Sequence, residues 1–152
     1  MAGRIPEALE FDHRELREHL EKAVASPGRT GEAAREVQKV LQPHILLEAE
    51  FAMPPLTILP KLARGEVTPD MARFIEKTDA FKAELPRMLD EHKLIVTALR
   101  TLLQAATAEQ QPGPAQFARK MIMHAQMEEE VLYPAAILVG EYLRLKMGKA
   151  QP

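Results

Sequence analysis

Residues 124–134 read HAQMEEEVLYP and residues 44–54 read HILLEAEFAMP, and on these two stretches the reading of the chain turns. They lie 80 residues apart and agree at four positions: His44 with His124, Glu48 with Glu128, Glu50 with Glu130, and Pro54 with Pro134. Residues four apart on a helix differ in direction by only about 40°, so each His points the same way as the Glu one turn later. Both pairs fall on apolar stripes. One runs Val37, Leu41, His44, Glu48 and Phe51; the other runs Phe117, Met121, His124, Glu128, Val131, Ala135 and Leu138. Glu50, Glu129 and Glu130 are rotated away from that face at a helical pitch.

Outward from these stretches the same organisation recurs. Ile5, Leu9, His13, Leu16, Leu20 and Val24 form a third stripe, and Phe74, Phe81, Leu85, Met88, His92, Val96, Leu99 and Leu103 a fourth. Each carries one lone inward histidine between an acid and a base, in Asp12-His13-Arg14 and Glu91-His92-Lys93, 79 residues apart. The chain therefore reads as a helix pair occurring twice, each pair offering one His and then a His and a Glu. Ser26-Pro27-Gly28, the Pro54 to Gly65 stretch and Gln111-Pro112-Gly113-Pro114 separate four helices over roughly 6–25, 31–53, 69–106 and 115–146. Thr68-Pro69 is a start signal, and Pro43, Pro86 and Pro134 are expected to kink or interrupt their helices. The predicted fold is all-α, a single up-and-down antiparallel four-helix bundle over residues 1–152.

Burying two carboxylates and four imidazoles without compensation costs on the order of several kcal/mol per ionised group. Cations remove most of that penalty, since carboxylates can bridge two metals and imidazoles can terminate each. The candidate ligands are His13, His44, Glu48, His92, His124 and Glu128. Six groups over two metals leave positions for solvent, a small diatomic molecule or peroxide. The competing bland reading, a hydrogen-bonded core histidine, weakens when four recur on four helices, because each needs its own buried partner.

The remaining composition bounds the alternatives. The chain has 152 residues, 46% apolar and 28% charged, with net charge -2 and no Cys. Disulfides and thiolate metal sites are excluded, no basic block offers a footprint for nucleic acid, and no apolar tract is long enough for a membrane span. A cytoplasmic protein is expected. No nucleophile dyad or phosphate loop points to an organic substrate. His19 reads as a boundary residue, and Glu10 as either a partner for the second ring nitrogen of His13 or a solvated first-turn acid. Tyr133, close to Glu128 in sequence, reads as a ring packed near Pro134 or, as the alternative, a redox or hydrogen-bonding residue, and Met121, Met123 and Met127 read as packing. Ile45 and Leu46 point off the stripe, toward the Pro-rich connection or a second subunit.

The lone His of the first helix, His44-x3-Glu48, the lone His of the third and His124-x3-Glu128-Glu129 with Pro134 together resemble the hemerythrin-like (HHE cation-binding) family over nearly the whole chain. That resemblance implies an up-and-down four-helix bundle with a carboxylate-bridged non-haem di-iron centre on the six residues above. Zinc or manganese suits the same donors. Oxygen-carrying members place a further histidine four residues after the third-helix His, where this chain has Val96. The resemblance thus implies a more open metal and a protein that binds, senses or reacts with oxygen, nitric oxide or peroxide, or an iron-responsive or iron-handling module without turnover.

Overall fold

The computed structural model describes residues 4–148, and among these it is wholly helical. Its long elements are α1 (Glu7–Val24), α2 (Gly28–Leu47), α4 (Arg73–Ala108), α5 (Pro112–Met127) and α6 (Tyr133–Met147), with a short α3 (Leu59–Ala63) between α2 and α4. Helix α1 packs on α2 and α5, while α4 packs on α2, α5 and α6, so the elements close into a bundle. No described helix is long and apolar enough to cross a membrane.

The four expected helices are all present, with informative departures. Helices α2 and α5 each end in a π turn, Glu48–Ala52 and Glu128–Leu132, and in each half one residue, Met53 or Tyr133, separates the turn from the proline of the repeat, Pro54 or Pro134. Proline donates no N–H and its ring crowds the carbonyl four residues back, so the helix cannot keep its α register there. The wider turn bonds residue i to i+5: the Met53 N–H donates to the Glu48 carbonyl at 2.9 Å, and the Tyr133 N–H to that of Glu128. Pro54 and Pro55 leave the Glu50 carbonyl without a backbone donor, and Lys77 Nζ supplies one at 2.8 Å. Pro43 and Pro86, by contrast, lie inside α2 and α4 without interrupting them. Both prolines are exposed, as are Lys39 and Lys82 four residues earlier, so water reaches the carbonyls they deprive.

The Pro54 to Gly65 connection is more ordered than its composition suggests. A 3-10 turn at Pro54–Ile58 and helix α3 bury Leu56, Ile58 and Leu62, the last two packing with Phe74, Ile75 and Val139 at one end of the bundle. Thr68-Pro69 opens a 3-10 turn, Pro69–Ala72, that runs directly into α4. At the other end Leu16, Leu20, Val37, Leu41, Ile95 and Leu99 belong to a second apolar cluster. A third, around Met53, Phe81, Met88 and Tyr133, lies between them.

Two contacts set how the helices meet. Helix α6 approaches α4 so closely that a methyl group on Gly140 would fall 1.8 Å from the buried Thr78 Oγ1. The Gly140→Ala variant should therefore lose about 1–3 kcal/mol of stability through overpacking, read from the urea midpoint. At the opposite end the Glu109 carboxylate accepts from the Arg29 and Thr30 N–H groups at 3.2 and 2.7 Å, and from the Thr30 hydroxyl at 2.6 Å. It thereby caps the orphan amides of α2 from the end of α4. Gly28, at φ 68°, leaves the room this carboxylate needs. The Thr30 hydroxyl and backbone hold the Glu109 carboxyl below its ordinary pKa. That contribution is present above the unfolded-state carboxyl pKa and lost as pH falls through the lower folded one. The stability difference between wild type and Glu109→Gln should therefore be largest near neutral pH and close on acidification, as thermal melts across pH would record.

Candidate metal centre

The six sequence-predicted ligands converge in the middle of the bundle, on α1 (His13), α2 (His44), α4 (His92), α5 (His124) and the two π turns (Glu48 and Glu128). His44, His92, His124, Glu48 and Glu128 are buried, and His13 is partly exposed. Their donor atoms form two groups, His44, Glu48, His92 and Glu128 in one, and His13, His124 and Glu128 in the other. Within each group those atoms lie within 4.8 Å of one another.

The two carboxylates face both groups. Glu48 places Oε1 2.7 Å from His44 Nε2 and Oε2 4.0 Å from His13 Nε2. Glu128 places Oε1 3.5 Å from His92 Nε2, and Oε2 3.4 Å from His124 Nε2 and 3.8 Å from His13 Nε2. Both Oε2 atoms are buried without a hydrogen-bond partner. A buried acceptor left unmade costs about 1–3 kcal/mol, more when charged, so these two oxygens call for something the chain does not supply. With four imidazoles and no sulfur around them, a cation that takes nitrogen and oxygen donors fits that need. The cluster can hold a metal ion.

The far side of each buried ring is fixed as a metal-binding imidazole requires. His44 Nδ1 donates to Glu91 at 2.8 Å, His92 Nδ1 to Glu129 at 2.9 Å, and His124 Nδ1 meets Asp12 at 2.9 Å. A carboxylate only accepts, so the proton of each ring belongs on Nδ1, and Nε2 points its lone pair into the cluster when the ring is neutral. The acid beside each lone histidine thus serves the ring across the bundle: Asp12, next to His13, holds His124, and Glu91, next to His92, holds His44.

Electrostatics within the bare cluster are strained. Burial, and then the neighbouring Glu128 charge, push the Glu48 carboxyl up to about 7. Burial acts the same way on Glu128, but the neighbouring Glu48, His124, His13 and His92 outweigh it and hold this carboxyl well below the usual range. Burial would lower His44 and His124, yet the adjacent Glu48 and Glu128 raise both. Without a cation the cluster must hold protons in its place.

Two sequence expectations change here. Tyr133 is not merely packed near Pro134: its hydroxyl lies 3.1 Å from His44 Nε2 and 3.0 Å from His92 Nε2. At an α pitch a residue five after Glu128 points about 140° away, but the π turn stacks i+5 over i and brings the ring to the site. Phe81 packs edge-on against it at 5.2 Å. Burial first, then the charges of Glu48 and Glu128, raise the phenol far above its ordinary pKa and keep it protonated. Glu129, expected to point away, serves His92 from the rim. Asp12, Glu91 and Glu129 are thus the residues that sequence reasoning missed, and for Tyr133 the hydrogen-bonding alternative holds over simple packing. The acid before each lone histidine was the visible signal for two of them.

Other expectations resolve simply. Glu10 is exposed and takes no hydrogen bond from His13, and His19 stands apart from the cluster beside Glu15 and Lys120. Met121 is buried, whereas Met123 is exposed. Ile45 packs against the core, and Leu46 is exposed. No protein-family model matches the chain, and neither does any curated protein or solved structure.

Removing the acids behind the rings tests their role. Glu91→Ala and Asp12→Ala should each weaken metal binding about 10–100-fold in chelator competition, while the helical circular dichroism stays as in wild type.

Proposed function

We propose that the chain is a hemerythrin-like protein whose up-and-down bundle holds two metal ions, most naturally irons, on His13, His44, Glu48, His92, His124 and Glu128. Bound there, the metals supply open coordination positions for a small oxidant, namely oxygen, nitric oxide or peroxide. The observation that carries this reading is the pair of unpartnered oxygens, Glu48 Oε2 and Glu128 Oε2, between two donor groups that share Glu128. The connections support the up-and-down direction. Helices α1 and α2 pack together across a three-residue link, and α4 and α5 do the same, which favours antiparallel neighbours.

The chain's own residues divide the work. Asp12, Glu91 and Glu129 fix ring orientation through Nδ1 and raise the basicity of Nε2. Tyr133 keeps a phenolic proton at the His44 and His92 side, within reach of whatever occupies the site. Met88 and Phe81 pack with Tyr133 and close the His44 and His92 side to water. Iron-loaded protein should show ligand-to-metal absorption that changes on adding oxygen, nitric oxide or peroxide, and Tyr133→Phe should alter that change without lowering iron content. A spectrum indifferent to all three removes oxidant chemistry from the account.

A second reading, an iron-responsive module without turnover, is favoured by one feature: the ligands come from α1, α2, α4 and α5, so metal and fold are coupled. A free metal concentration a hundredfold above Kd should then stabilise the chain by about 2.7 kcal/mol. Equal melting temperatures with and without metal would exclude this reading.

A further inference from the structure

The two donor groups differ in access. His44 and His92 are sealed by Tyr133 and the core, whereas His13, His124, Glu48 and Glu128 form the inner end of a cavity of about 350 Å3 between α1, α2 and α5. Its walls are Leu16, Leu20, Leu41, Ile45 and Met121, all apolar. Its mouth is marked by the exposed Arg17, Gln42 and Leu46, the last 71% exposed. Glu21 and Gln38 also line it, so the passage between cluster and mouth is largely, not wholly, apolar. A water occupies about 30 Å3 of liquid, and a cavity of about 150 Å3 suffices for benzene. A diatomic oxidant needs only a small fraction of this space. The volume falls within the range of small-molecule sites, with room for roughly ten non-hydrogen atoms.

The inner end narrows the chemistry of the occupant. The Oε2 atoms of Glu48 and Glu128 lie on the His13 side, buried and unpartnered. A carboxyl group suits that end in either state, donating its O–H to an orphan oxygen or, ionised, taking an open position beside bound cations. We propose that this cavity seats a medium-chain aliphatic carboxylic acid, its head against His13, His124 and the two glutamates and its tail along Leu16, Leu20, Leu41 and Ile45. The proposal rests on the metal reading only for how the head is held, since the walls belong to the chain itself.

The test is calorimetric titration of zinc-loaded protein, which is redox-inert, with acetate, butanoate, hexanoate, octanoate and dodecanoate, zinc per chain being counted on the same samples. Affinity should rise about fourfold per methylene up to octanoate and flatten by dodecanoate, where the tail outgrows the cavity. Octan-1-ol should bind at least tenfold more weakly than octanoate. Ile45→Trp, or Leu41→Phe should the first fold poorly by circular dichroism, fills the passage and should abolish the chain-length dependence. An affinity flat across the series in protein carrying two zincs per chain overturns the inference and leaves the metal reading intact, as does octan-1-ol binding as well as octanoate. A chain that takes up no zinc overturns the metal reading instead. The same series on that metal-free chain then decides the cavity, a rising affinity supporting it and a flat one overturning it.

Discussion

Two carboxylates, Glu48 and Glu128, sit side by side at the centre of a helical bundle, each almost wholly removed from water and ringed by imidazoles. Burying ionised groups in this way is among the costliest arrangements a small domain can adopt, and only close compensation makes it tolerable. Part of that compensation is on hand. The imidazoles meet one oxygen of each carboxylate, and Asp12, Glu91 and Glu129 hold three of the rings from behind. The remaining oxygen of each carboxylate is not satisfied by the chain. Much else serves this centre: the π turns that aim it, the prolines beyond those turns, and apolar clusters that keep water from it.

The internal repeat makes the centre symmetric in plan and unequal in detail. Glu129, which holds His92, corresponds to Ala49 in the other half, and Tyr133 corresponds to Met53. At these two repeat positions one half of the chain carries an acid and a phenol and the other carries apolar side chains. Consistent with this, the His44 and His92 side is closed beneath Tyr133, while the His13 and His124 side meets the cavity between α1, α2 and α5.

Much of this was legible in the residues themselves. Stripes at spacings of three and four identify the helices, and histidine and glutamate on those stripes identify the cluster, because apolar side chains are expected there. The π turns were not legible as such. Extrapolating about 100° per residue past Glu128 sends Tyr133 away from the site, and only the register shift imposed before Pro134 returns it. Hydrogen bonding from ring to carboxylate across helices also escapes periodicity, which orders residues along one helix but not between two. Asp12 and Glu91 were visible as flanks of the lone histidines, yet the rings they hold lie on other helices. The ordering of Pro54 to Gly65 was hidden for a related reason: its prolines read as a break, while burial of Leu56, Ile58 and Leu62 depends on partners far along the chain.

The central claim is that cations balance the buried carboxylates, and counting them is its most direct test. Elemental analysis of protein purified gently from iron-replete cells should find two metal ions per chain, with stoichiometry falling in Glu128→Ala, since Glu128 belongs to both donor groups. A folded wild-type chain carrying no metal, and taking none up from added iron, zinc or manganese, would contradict it.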